Sequence, residues 1–88
     1  MNKILLLTTR GCEGCSIMRT SIKQAIILSK KDIAFEEKDL GQLTKAFIQV
    51  NRIKDYPTVL FYKDDILKRK EVGSRPYIVV LRWIDIDF

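Results

Sequence analysis

The stretch Lys3-Ile4-Leu5-Leu6-Leu7-Thr8-Thr9-Arg10-Gly11-Cys12-Glu13-Gly14-Cys15 decides how the rest of the chain is read. Residues 3–8 form an apolar run centred on Ile4–Leu7, with none of the alternation of a strand that has one wet face. Such a run marks a strand buried on both sides. The polar residues and glycines from Thr9 to Gly14 break it and read as a loop. Beyond the loop, Cys15, Met18, Ile22, Ala25 and Ile26 recur three or four residues apart, the spacing of one helical face. Arg19 and Lys23 fall on another face, and Lys30-Lys31 lie where the helix macrodipole favours cations. The two cysteines therefore sit at a strand–loop–helix junction.

Working outward, residues 33–38 read as a second strand. Asp39 and Gln42 have the spacing of a capping box, predicting a second helix with Leu43, Phe47 and Val50 on its inner side. That helix should end near Asn51-Arg52. Tyr56-Pro57 is a turn signal, and Thr58-Val59-Leu60-Phe61-Tyr62 is β-branched and aromatic, the composition of a strand. Lys63-Asp64-Asp65 turns into residues 66–72, whose charges suit a sheet edge. Gly73 closes that strand. Ser74 is the expected N-cap of a last helix, with Pro76 in its first turn and Tyr77, Leu81, Ile84 and Phe88 as its apolar stripe. The order is β-α-β-α-β-β-α, an α/β class. Residues 1–88 are expected to form a single domain, with no repeat, linker or low-complexity segment.

Composition narrows the chemistry. The chain has two cysteines and no histidine. Without histidine there is no Ser-His-Asp or Cys-His catalysis and no imidazole-ligated zinc, and two thiolates leave a tetrahedral zinc half-ligated. A secreted chain of this length normally carries a denser cysteine framework. The apolar run near the N-terminus is too short for a signal peptide or a membrane span, so a cytoplasmic, reducing compartment and no membrane partner are expected. The formal net charge of +5 is scattered over Lys30-Lys31, Arg52, Lys54 and Lys68-Arg69-Lys70 among interleaved acids. It reads as a solvated basic surface. Nucleic acid is not expected as a partner, because no aromatic–basic alternation accompanies the charge.

Cys12-Glu13-Gly14-Cys15 carries the functional signal. The first N–H groups of a helix lack partners and the dipole is positive there, so a sulfur at the cap is stabilised as thiolate. Cys12, in a polar loop, is expected to be the accessible nucleophile. Cys15, one turn in and on the core stripe, is expected to be shielded and placed to attack a mixed disulfide from within. Arg10 should favour the Cys12 thiolate and Glu13 should oppose it, while Gly14 supplies backbone freedom for the turn. Cys12 is thus expected to be moderately acidic and the couple a mild reductant. Ordinary small buried hydrophobes are the alternative reading of the cysteines, and that reading fits Cys15 better than Cys12.

At this point the chain resembles the thioredoxin-like superfamily, thioredoxins and glutaredoxins in particular, over essentially its whole length. Pro57 follows Cys12 by 45 residues, and Tyr56-Pro57-Thr58 looks like that family's cis-proline motif. Val72-Gly73 looks like its glycine at the end of the fourth strand. The resemblance implies a four-stranded mixed sheet flanked by helices, with Pro57 packed on the dithiol. It also implies that Tyr56, Pro57, Thr58 and Gly73 form the substrate-binding rim, with Tyr56 pairing to a substrate backbone. There are departures. Gly11 stands where thioredoxins have Trp, Glu-Gly where they have Gly-Pro, and an apolar residue of the Leu5–Leu7 run where they bury an acid. Gly73-Ser74-Arg75-Pro76 keeps only the first glycine of the glutaredoxin Gly-Gly-x-Asp segment.

The function expected is thiol–disulfide oxidoreduction of the thioredoxin or glutaredoxin type, on protein or small-molecule disulfides. Disulfide-bearing proteins and an upstream reductase or glutathione are the expected partners. No cofactor is expected beyond the reversible Cys12–Cys15 disulfide, with glutathione left open, and the chain is expected to be a monomer. Two alternatives belong to other classes. One is Cu(I), or an iron–sulfur cluster bridged between subunits, held by the two thiolates. The other is a non-catalytic interaction module using Trp83, Ile84, Ile86 and Phe88, although these residues also suit packing on the sheet.

Overall fold

A computed structural model describes all residues from Met1 to Phe88. Four strands, β1 (Asn2–Thr8), β2 (Ile33–Asp39), β3 (Thr58–Lys63) and β4 (Ile66–Val72), form one sheet in the order β2-β1-β3-β4. β1 and β2 are parallel, with Leu6 opposite Glu37; β3 runs antiparallel to both β1 and β4. Three α-helices complete the fold: α1 (Glu13–Ser29), α2 (Lys45–Val50) and α3 (Tyr77–Asp87). The order and mixed sheet agree with the sequence expectation. No helix is long and apolar enough to cross a membrane.

The Ile4–Leu7 run is apolar throughout because alternate residues feed two separate cores. Ile4 and Leu6 join Met18, Ile22 and Ala25 of α1 and Val80, Trp83 and Ile84 of α3, together with Val59 and Phe61. Leu5 and Leu7 point the other way, to Ile53, Leu60 and the half-buried Leu43, Phe47 and Tyr56. On the first face Phe61 meets Trp83 edge-on at 6.2 Å and stacks on Phe88 at 5.3 Å. Arg69 ties β4 to α3 there: Nε donates to Asp87 at 2.6 Å, and the guanidinium lies 5.3 Å from the Trp83 ring centroid. A two-pronged Arg19–Glu37 pair, at 2.6 and 2.9 Å, fastens α1 to β2.

Three local expectations are corrected. The Asp39–Gln42 capping box forms, but it closes a 3-10 turn at Leu40–Gln42. α2 starts later behind a second cap, Thr44 Oγ1 accepting from the Phe47 N–H at 3.0 Å. The shift rotates Val50 outward to 80% exposure. In α3 the N-cap is Pro76, not Ser74, and the buried stripe is Val80-Trp83-Ile84, with Tyr77 exposed and Leu81 only half-buried. Of the apolar tail residues, Trp83 and Ile84 are buried, Phe88 is half-buried, and Ile86 remains exposed.

Candidate functional site: a dithiol at the head of a helix

β1 ends at Thr8, and the chain reverses through Gly11, whose φ of +73° is the left-handed backbone glycine tolerates without strain. Cys12 follows as the N-cap of α1, half-buried, with extended φ and ψ of −92° and 102°. Cys15, one turn in, is 4% exposed. The two are joined by a disulfide with their Cα atoms 5.4 Å apart. In this disulfide state the Cys12 side chain accepts no cap hydrogen bond. In the disulfide that sulfur is bonded to Cys15 and carries no thiolate charge to draw the amide protons. The Cys15 N–H bonds back to the Cys12 carbonyl at 3.3 Å, while the Glu13 and Gly14 N–H groups have no partner within the chain.

Gly14 is corrected in its role. Its φ is not left-handed; the positive-φ glycines are Gly11 and Gly73. What Gly14 provides is space. A Cβ there would lie 3.2 Å from Pro57 Cδ and 3.6 Å from Ser74 Cβ, closer to the proline ring than ordinary van der Waals contact. The first turn of α1 therefore presses directly on the loops that enter β3 and leave β4.

Those loops hold the other residues singled out in the sequence. The Tyr56–Pro57 peptide is cis, and Pro57 is buried. The Pro57 carbonyl accepts from the Gly73 N–H at 2.8 Å, and Gly73 has φ +93°, so the two loops are bonded beside Gly14. Thr58 is fully buried; its hydroxyl donates to the Asp55 carbonyl at 2.6 Å, and it pairs with Leu7 and Val72 in the sheet. The half-buried Tyr56 ring packs on the Leu5–Leu7–Ile53–Leu60 core. Burial raises its phenol pKa, and the nearby Asp39 carboxylate adds to the rise. The Tyr56 backbone N–H and C=O make no hydrogen bond within the chain. Cys12, Cys15, Pro57, Thr58 and Gly73 are thus assembled at one end of the sheet. Arg10 and Glu13 are exposed there and form no ion pair.

Two neighbours of the site were not singled out for it. Ser74 forms part of the wall against Gly14. Arg75 Nη1 donates to the carbonyls of Val72 at 3.2 Å and Ser74 at 3.0 Å, holding the Gly73 turn. Their place beside Gly73 was the available signal, and the N-cap reading of Ser74 obscured it. The buried polar or charged side chains are Thr8, Ser21 and Thr58, so no carboxylate is buried anywhere in the chain to serve Cys15. No group of three His, Cys, Asp or Glu side chains is close enough to hold a metal ion.

No family model and no curated protein matches the sequence. Solved structures do. A malarial protein superposes with a TM-score of 0.82 at 15% identity, over 100% of this chain and 98% of its own. Thioredoxin-2, described as a component of the malaria parasite protein secretion machinery, superposes with a TM-score of 0.82 at 15% identity, over 98% of this chain and 82% of its own. At such identity the likeness is one of architecture, and the chain has a thioredoxin-like fold.

Proposed function

We propose, from a thioredoxin-like fold with a Cys12–Cys15 disulfide at the head of α1, that the chain is a thiol–disulfide oxidoreductase. The observation that carries the reading is the asymmetry of the pair: Cys12 is partly accessible at the helix cap and Cys15 is 4% exposed behind it. In the reduced protein the free N–H groups of Glu13 and Gly14 lie at the positive end of the α1 dipole, where they favour a Cys12 thiolate. That thiolate attacks one sulfur of a substrate disulfide. The substrate S–S bond breaks, a mixed disulfide forms at Cys12, and the first substrate thiolate leaves. Cys15 then loses its proton to water and attacks the Cys12 sulfur, and the second substrate thiolate departs. Two electrons pass from the dithiol to the substrate, and the protein is left as its disulfide.

The backbone of Tyr56 supports this reading. Its unpaired N–H and C=O immediately precede the buried Pro57, so an extended substrate segment can pair there while its sulfur faces Cys12. A dithiol reductase or a pair of glutathione molecules would return the electrons. Replacing Cys12 with Ser abolishes reduction of an insulin-type protein disulfide on this mechanism, and replacing Cys15 with Ser accumulates the mixed disulfide, read by non-reducing gel and mass spectrometry. Undiminished turnover in Cys12→Ser rejects it.

A further inference from the structure

Between α2 and the proline loop the chain reads Asn51-Arg52-Ile53-Lys54-Asp55-Tyr56, with one aliphatic residue, Ile53, set between two cations. Ile53 is pulled inward: it is 5% exposed, and its N–H donates to the Ile48 carbonyl at 2.9 Å. Its neighbours Arg52 and Lys54 are turned out to solvent. The result is an open groove of about 490 Å³ lined by Ile48, Ile53, Gln49, Arg52 and Lys54. No carboxylate lines it.

The charge of this groove is uncompensated. Arg52 and Lys54 form no ion pair, as is true of most cations of the chain, and what sets these two apart is that they line one groove with Ile48 and Ile53. Carbonyls at a helix end would normally repel an anion. Here the Asn51 and Arg52 carbonyls are covered by a third cation, Lys70 of β4, whose ammonium donates to them at 2.9 and 2.8 Å. Asp55, next along the chain, is the one acid in the loop. Lys54 is only three residues from Pro57, so at most roughly 11 Å of backbone separates the groove rim from the dithiol wall.

We propose that this groove binds an acidic segment, carrying at least one apolar side chain, of the disulfide-bearing protein that Cys12 attacks; the substrate role of that protein rests on the redox reading above. Ile48 and Ile53 receive the apolar side chain, and Arg52 and Lys54 face the carboxylates on either side. The same substrate chain continues past Tyr56 to the disulfide. Docking at two adjacent places makes the second contact intramolecular and raises its effective concentration. A single-stranded nucleic acid fits less well, since no aromatic ring lines the groove for bases to stack on.

The test uses two peptides identical in their disulfide and differing in one flanking segment, Asp/Glu with Leu against Gln with Leu, together with cysteine-free versions for binding by fluorescence anisotropy. At low ionic strength the acidic peptide is expected to bind about tenfold more tightly and to be reduced with a correspondingly higher kcat/KM, an advantage that shrinks in high salt. The double reversal Arg52→Glu with Lys54→Glu is expected to abolish the preference. Lys23→Glu with Lys30→Glu, the same change of net charge on α1 and the residue that caps it, is expected to preserve it. Equal binding of the two peptides overturns the proposal. So does an equal loss in the α1 control, or a groove-dependent preference for a single-stranded oligonucleotide over the acidic peptide. Groove-dependent binding in a protein that reduces no disulfide supports the groove and overturns the redox reading alone.

Discussion

The two faces of the sheet are built to different standards. On one, α1 and α3 lie against a continuous apolar cluster that includes Ile4, Leu6, Met18, Ile22, Phe61 and Trp83. On the other, the six-residue α2 contributes no buried residue, and the core reduces to Leu5, Leu7, Ile53 and Leu60 with half-buried side chains around it. A helix that short has little stability of its own. α2 is held by its Thr44 cap, by the Asn51 side chain bonding the Phe47 carbonyl at 2.9 Å, and by Lys70. The lesson is a division of labour. The thick face fixes the dithiol, because Cys15 and Met18 are part of the helix that it anchors. The thin face supplies the loop that carries Tyr56 and Pro57, together with the basic groove.

Adjacent residues of β3 test the two faces directly, because Phe61 faces the thick side and Leu60 the thin one. Both are fully buried. Phe61→Ala removes the contacts with Trp83 and Phe88 and leaves a cavity in the larger of the two clusters, so a loss of about 3–5 kcal/mol is expected. Leu60→Ala is expected near the lower end of its range, about 2–3 kcal/mol, because α2 can settle toward the gap. Urea unfolding with an unchanged m-value checks both. Equal losses would mean that α2 is as firmly packed as α1 and α3.

Gly14→Ala probes the seam where the two halves meet, with a smaller expected effect. In an open helix the change would stabilise by up to about 1 kcal/mol. Here the new methyl meets Pro57 Cδ at 3.2 Å, a ring carbon held by a buried loop with no flexible end to yield. The gain is expected to be cancelled, leaving a stability change between zero and a loss of about 1 kcal/mol. Because the displaced atoms form the wall of the dithiol site, reduction of a protein disulfide is expected to slow. A full stabilising gain with unaltered turnover would show that the seam is loose.

Much of this was legible in the sequence, and the failures share a physical cause. The Ile4–Leu7 run, the cysteine pair before a helical stripe and the Pro57–Thr58 strand start are strong local signals that tertiary packing reinforces. The start of α2 was missed because two valid caps, Asp39 and Thr44, follow one another, and nothing local says that the first closes only a 3-10 turn. The inner face of α3 was misjudged because Tyr77-Ile78-Val79-Val80-Leu81 is apolar all round, so periodicity selects no side. Trp83 decides it, through Phe61 of β3 and Arg69 of β4, together with Arg75 just ahead of the helix. The role of Gly14 is hidden from the sequence for a related reason: crowding against Pro57 is a property of the assembled fold.

The smallest expected effect separates the faces by pH. Tyr56 and Tyr62 both pack against the thin-side core, and burial raises both phenol pKa values above the usual value near 10, with Asp39 adding to the effect at Tyr56. The folded state therefore holds these protons more tightly than the unfolded chain does. The associated stability is fully present below the unfolded pKa of about 10 and is lost as pH rises through the higher folded values. Phenolate absorbance in the native protein is expected to rise at higher pH than in the denatured chain. Tyr62→Phe, which removes one ionisable group and keeps the ring, is expected to lessen the alkaline loss of stability. If the loss instead follows the thick face, α2 amides will remain protected from hydrogen exchange while those of α1 open first. If the thin face governs it, α2 amides exchange first as the pH climbs, and the loop carrying Tyr56 and Pro57 loosens before the helix that holds the cysteines.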